Sequence, residues 1–211
     1  MTLTYIQTHL NTHKKCVKYL EKLRWKGKPT CPYCGSDKST SKQLRHTCHQ
    51  CKRSYSVTVK TTFHNSNLPL NKWLSAISII LSAKKGVSSL QLARDISVNK
   101  NTAWLLQMKI RAAMAEGEFE YFKPEKRELR VTFTGRMNEV KKWISYEKED
   151  VDSSNRDQHL WNHLKRAIIG QYHRIDERYL YRYVDEIRFK FDRKSKTFFG
   201  YEDLISKVLK L

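Results

Sequence analysis

The sequence predicts a mainly α-helical fold with a small β component, and three observations carry that expectation. Four of the five cysteines form two close pairs, Cys31-Pro32-Tyr33-Cys34 and Cys48-His49-Gln50-Cys51, inside a short segment with strand-like residues beside it. Residues 69–115 repeat apolar side chains at helical spacing in three successive stretches. From His159 onward the same spacing returns, through to the end of the chain.

Each cysteine pair puts two thiolates on a tight turn, so that both sulfurs face one ion. The intervening loop is long enough to bring the second turn opposite the first and complete a tetrahedron. The pattern therefore predicts one structural Zn2+ on Cys31, Cys34, Cys48 and Cys51, within a zinc ribbon over residues 29–64. A thioredoxin-like reading needs a single CxxC near a βαβ pattern instead. Four thiolates leave no open coordination position, so such a metal holds a fold and does no chemistry. His46, His49 and His64 lie nearby as alternative ligands that the full thiolate set does not require. Cys16 stands alone and reads as a small buried hydrophobe on a helix.

The elements follow in order. Residues 11–24 read as a helix capped by Asn11 or Thr12, with Cys16, Leu20 and Leu23 on one face and Lys14, Lys15, Lys18 and Lys22 outside. Residues 53–59 (Arg53-Ser54-Tyr55-Ser56-Val57-Thr58-Val59) alternate and are rich in β-formers, so they predict a strand. A helix over residues 70–83 carries Trp73, Ile77, Ile80 and Leu81, and Gly86 ends it. Ser88-Ser89-Leu90-Gln91 starts a short helix with Leu92, Ala93 and Ile96. Residues 101–114 form a longer one with Ala103, Leu106, Ile110 and Met114. A short helix, a tight turn and a second helix make a helix-turn-helix, whose last helix enters the major groove. Lys100, Asn101, Thr102 and Gln107 are then the candidate base readers, and Lys84, Lys85 and Arg94 the candidate phosphate contacts. Residues 116–158 are a divergent α+β segment with strands expected over 118–122 and 129–133. Leu160, Leu164, Ala167 and Ile168 predict a helix that Gly170 stops. Residues 176–191 form another, burying Leu180, Tyr183, Val184 and Ile187, and residues 201–209 a last one with Leu204, Ile205 and Leu209.

The formal charge of +20 is uneven. Residues 1–115 hold 20 Lys and Arg against three acids (Glu21, Asp37, Asp95), whereas the remaining 21 bases share residues 116–211 with 18 acids. So basic a first half points to a polyanion, and duplex DNA is the expected partner. The most apolar run, residues 76–83, is far below the ~20 residues that span a bilayer. The first residues lack a signal-peptide pattern. A cytoplasmic, nucleoid-associated protein with no membrane partner is expected.

The order of helix, four-cysteine ribbon and helix-turn-helix resembles the zinc-ribbon insertion-sequence transposases of the ISXO-like group. The residues that carry the resemblance include residues 19–25 (Tyr19-Leu20-Glu21-Lys22-Leu23-Arg24-Trp25), the Cys31-Pro32-Tyr33-Cys34-Gly35 knuckle, Phe63-His64-Asn65-Ser66, and Leu68-Pro69-Leu70-Asn71-Lys72-Trp73. Lys84-Lys85-Gly86-Val87-Ser88-Ser89, Leu160-Trp161-Asn162-His163-Leu164 and Tyr183-Val184-Asp185-Glu186 continue it. The resemblance implies an RNase H-like catalytic domain whose carboxylates hold two Mg2+ ions. Here the first acid has no match after Met114, and the third position aligns with Gln158, which brings no negative charge. Asp150, Asp152 and Asp157 fall in one polar run. Residues 159–211 then read as the helical end of a reduced RNase H-like remnant. The expected domains are 1–28, 29–64, 65–115, 116–158 and 159–211.

The expected function is a transposase-derived, zinc-dependent DNA-binding protein without strand-transfer activity, acting on terminal inverted repeats. It acts alone, as a homo-oligomer, or in a mixed oligomer with a full-length transposase. One alternative is a compact nuclease or transposase using Glu118, Glu120 and Asp152 with Mg2+. Another is a zinc-ribbon module for RNA or a protein partner.

Overall fold

Threonine side chains start the first two helices. Thr2 Oγ1 accepts from the Tyr5 amide to cap α1 (Leu3–His9), and Thr12 Oγ1 accepts from the Lys15 amide to cap α2 (His13–Trp25). The structure is a computed structural model that describes residues 1–115, 162–163, 166–172, 175–192 and 199–209. Helix α1 was not expected. It is only 7 residues long and is held by burial of Ile6 and by the Ser78 hydroxyl, which donates to the Met1 carbonyl at 3.3 Å. Helix α2 buries Cys16, Val17, Leu20 and Trp25, so Cys16 is the packed thiol its context implies. Lys26 closes α2 in the left-handed region.

Three short antiparallel strands follow in the order β1 (Ser39–Lys42), β2 (Arg45–Cys48), β3 (Ser54–Tyr55), with Ser39 opposite Cys48 and His46 opposite Tyr55. Gln43 and Leu44 join β1 to β2, both with positive φ (48° and 68°), the twist that a two-residue hairpin requires. The strand expected over residues 53–59 is corrected to Ser54–Tyr55 alone. Beyond it the Val57 and Val59 carbonyls leave the sheet and accept from Arg24 Nη1 at 2.6 and 2.8 Å. A side chain on α2 therefore takes the acceptors that a longer ladder would have used.

The next three helices are α3 (Leu70–Ser82), α4 (Ser89–Asp95) and α5 (Lys100–Met114). Ser88 caps α4 by accepting from the Gln91 amide, and Asn99 caps α5 by accepting from the Thr102 amide at 2.7 Å. Helix α4 packs against α5 across the turn between Ile96 and Asn99. Lys72 on α3 donates to the Ser97 carbonyl in that turn at 2.7 Å.

After residue 115 the described chain resumes with helical residues 162–163 and 166–167, a π-helical turn, Ile168–Tyr172, then α6 (Glu177–Asp192) and α7 (Phe199–Leu209). Gly170 lies inside the π turn, so the helix does not stop there as expected. On α6, Tyr183 and Val184 are buried as expected, whereas Leu180 and Ile187 are half-buried and the acids Asp185 and Glu186 are buried instead. Helix α7 contacts α2, α3 and α5. Leu204, Ile205 and Val208 are fully buried in a core that continues from Ile6 through Trp73 to Leu209. The Tyr201 hydroxyl donates to the Leu74 carbonyl at 3.3 Å, and the Val208 carbonyl accepts from the Thr62 amide at 3.1 Å. Among the described residues the protein is mainly helical with one small sheet. The strands expected over 118–122 and 129–133, Leu160 and Leu164, Gln158, and the acids Glu118, Glu120, Asp150, Asp152 and Asp157 lie outside the described residues.

Candidate metal centre and nucleic-acid interface

The two knuckles converge. Cys31 and Cys51 Sγ are 3.6 Å apart, Cys34 and Cys48 Sγ 3.5 Å, and all four sulfurs lie within 4.8 Å of one another. A tetrahedral zinc with bonds of about 2.3 Å would hold its sulfurs roughly 3.8 Å apart. The donor set and its spacing therefore fit one structural zinc, and they pair across the knuckles as a closed tetrahedron needs. Backbone amides prepare the ligands. The Cys51 and Gln50 amides hold the Cys48 thiol down to about 6 against the opposing effect of burial. Burial opposes the shift at Cys31 too, but the Tyr33 and Cys34 amides outweigh it and lower that thiol. At Cys34 the Ser36 amide is outweighed by burial and by the three neighbouring sulfurs, and its thiol is pushed up to about 11. Four thiols this close cannot all ionise without a cation between them, which is what a divalent metal supplies.

The nearby histidines have other partners. His46 Nε2 meets Glu21 Oε1 at 2.9 Å, its ring set edge-on to Trp25 and stacked on Tyr55. His49 pairs with the Thr40 hydroxyl, and His64 is exposed on the turn after the ribbon. Among the described residues, the four cysteines are the one group of donors close enough to hold a metal ion.

The expected DNA contacts divide. Lys84 and Lys85 are exposed before α4, Arg94 is exposed near its end, and Lys100 and Asn101 are exposed at the start of α5. Thr102 is half-buried there. Gln107 is corrected: it is 1% exposed, its Nε2 donates to the Val87 carbonyl, and its Oε1 accepts from the Ser89 hydroxyl, both at 2.8 Å. It ties α5 to the start of α4 and offers nothing to a groove. Leu105 and Lys109, not among the expected contacts, are also exposed on α5. Together with Asn101 they form the outward stripe of α5 at four-residue spacing, and Leu105 is 55% exposed. Their signal was available, since Ala103, Leu106 and Ile110 define the opposite face of the same helix.

The inward side of α5 is held by charge. Arg111 Nε donates to Glu186 Oε2 on α6 at 2.7 Å, and its Nη2 donates to the Tyr172 hydroxyl at 3.3 Å. That hydroxyl in turn donates to Glu186 at 3.3 Å, and the guanidinium lies 3.8 Å from the Tyr183 ring centre. Lys190 donates both to Glu186 and to the Ala83 carbonyl. Both members of the Arg111–Glu186 pair are 1% exposed. Burial alone would raise the Glu186 carboxyl, but Lys190 and Arg111 hold it down to about 2. The carboxylate is thus committed to two cations. It fixes the orientation of α5 from behind, a role no local pattern announces.

Two family models match the chain: a transposase zinc-ribbon domain over residues 11–54, and an ISXO2-like transposase domain over residues 131–192. No curated protein and no solved structure matches it. No described helix is long and apolar enough to cross a membrane.

Proposed function

We propose that this chain, which belongs to the IS1595 transposases through its zinc-ribbon and transposase domains, is a zinc-dependent duplex-DNA-binding protein without strand-transfer activity. The observation that carries DNA binding is the outward stripe of α5, Asn101, Leu105 and Lys109, which begins at a capped helix start just after α4. Asn suits an adenine edge and Lys a guanine edge, and Leu packs on a thymine methyl. Lys84, Lys85 and Arg94 flank the stripe in sequence as phosphate contacts, in a half of the chain with very few acids. The zinc is structural and sets the ribbon. The terminal inverted repeats of a parent element are the natural target, bound by one copy, by a homo-oligomer or by a mixed oligomer with a full-length transposase.

The loss of strand transfer rests on Gln158, where the resemblance implies an acid, and on the lack of a matching first acid after Met114. The test is binding of the zinc-loaded chain to duplex from its own genomic flanks against scrambled duplex, across a salt series. Flank preference that survives physiological salt, without Mg2+-dependent nicking, is the expected result. Equal binding to both duplexes that collapses with salt would sink the site-specific reading. Substituting Lys100 or Asn101 relaxes preference more than affinity, and substituting Lys84 or Lys85 does the reverse.

One observation favours a second reading, that of an active compact transposase. The transposase-domain match covers residues 131–192 and so includes Asp150, Asp152 and Asp157. Mg2+- or Mn2+-dependent nicking that disappears on substituting Glu118, Glu120 or Asp152 would establish it.

A further inference from the structure

Helix α2 presents Lys14, Lys18 and Lys22 one turn apart, with Lys15 beside the first and Lys26 just past its end, and all five are exposed. The arrangement is electrostatically unfavourable in the free protein. Like charges four residues apart repel along a helix. Lys14 and Lys15 also stand in the first turn, where the positive end of the helix dipole disfavours a cation. Within α2 no acid pairs with the row, and Glu202 on α7 acts on Tyr19 beside it. The first turn contains no acid, and Glu21, the sole acid on the helix, meets His46. Among the described residues, Lys14, Lys18, Lys22 and Lys26 enter no ion pair.

The row is also rigidly placed. The opposite face of α2 is buried through Cys16, Val17 and Leu20, and Arg24 ties its end to the ribbon carbonyls. The apolar neighbours of the lysines on α2, Tyr19, Leu23 and Trp25, are half-buried or buried, so the helix lacks the exposed apolar face of a membrane-surface binder.

We propose that this lysine row is a second contact with duplex DNA, made to the phosphate backbone and separate from the base-facing stripe of α5. Four residues of helix rise about 6 Å, so Lys14 to Lys22 spans about 12 Å. One strand of a duplex carries a phosphate about every 3.4 Å of axis, so the row is long enough to meet three of them. Lysine ammoniums on flexible stems are point-charge donors suited to phosphate and carry no sequence preference. The proposal rests on the DNA-binding reading above and adds to it a surface on a different element.

The test compares the zinc-loaded full chain with the triple variant Lys14→Gln, Lys18→Gln, Lys22→Gln on a preferred duplex and a scrambled one across a salt series. Losing three phosphate contacts should lower the slope of log affinity against log salt by about 2.7. That corresponds to roughly a hundredfold weaker binding near ~0.15 M salt. The ratio between the two duplexes should stay unchanged. The variant removes repulsion from an exposed face, so its melting temperature should not fall, and a weakened complex cannot be charged to unfolding. An unchanged slope, with wild type still binding duplex, overturns the proposal while leaving the DNA-binding reading intact. So does a collapse of the ratio. Wild type that binds no duplex defeats the DNA-binding reading itself, and the proposal with it.

Discussion

Replacing Glu186 by glutamine would leave the Arg111 guanidinium buried at 1% exposure without its counterion, with Nη1 already lacking a hydrogen-bond partner among the described residues. Breaking one side of such a pair costs about 3–5 kcal/mol, because the remaining charge cannot reach water. Lys190 softens the loss only on its own side, since its side chain is 13% exposed and can turn outward. For a chain of this size each kcal/mol lowers the melting temperature by about 2–4 °C, so a fall of roughly 6–20 °C is expected. The double variant Arg111→Met, Glu186→Leu should recover most of it, because apolar residues of similar volume remove the unpaired charge altogether. The pH dependence gives an independent readout. Glu186 is held at about 2 in the folded protein, below its unfolded value. Its contribution is therefore present in full above the unfolded value of ~4.3 and is lost as pH falls from there toward 2, about 3 kcal/mol in all. Urea unfolding of the zinc-loaded chain at neutral pH, repeated between about pH 5 and 3, measures both effects. Acid also releases zinc from the thiolates of either protein, so the comparison is the difference between wild type and Glu186→Gln. A stability change under about 0.5 kcal/mol, or an identical acid dependence in the two proteins, would refute the assignment.

Three further predictions follow from single contacts. Gly86→Ala should destabilise by about 2–4 kcal/mol, because Gly86 has φ +86° and a Cβ there would overlap the Tyr172 hydroxyl. Gly27→Ala, at φ +92° with open space around it, should cost only about 1 kcal/mol, so equal melting temperatures for the two variants would contradict the contact. Cys48→Ser, or chelation of the wild type, should unfold the ribbon and abolish binding of one equivalent of zinc, as read by metal titration and far-UV circular dichroism. Zinc-free protein with undiminished DNA binding would show the ribbon to be dispensable. Gln107→Leu should lower stability by about 1–3 kcal/mol by orphaning the Val87 carbonyl and the Ser89 hydroxyl. It should leave DNA sequence preference intact, and a changed preference in binding selections would return Gln107 to the groove.

The zinc site and the helices α3, α4 and α5 were legible in the sequence because their signals are local. Two close cysteine pairs define one tetrahedron through turn geometry alone, and apolar residues three and four apart define a helix and its buried face without any knowledge of what covers it. Caps sharpen the ends: Ser88 and Asn99 accept from amides three residues on, within reach of any sequence reading. The terminal helix was legible for the same reason. Its residues Leu204, Ile205 and Leu209 share a stripe that the structure buries.

The misses share the opposite property. Helix α1 is too short to be stable from its own residues, and it is formed because it packs on α3, more than sixty residues away, whose Ser78 binds the Met1 carbonyl. The β-prone run after Cys51 stops pairing at Tyr55 because a guanidinium from α2 takes its carbonyls. Gln107 and Arg111 look like surface residues of a basic helix, yet both are buried, because polar partners on other elements offset their desolvation. By itself, then, the sequence determined the metal, the helical class and the charge that points to DNA, all properties of neighbours along the chain. Which polar side chains of α5 face outward, and which brace it against Glu186, was decided only by tertiary structure, since the burial of a charge depends on a partner that sequence proximity does not reveal.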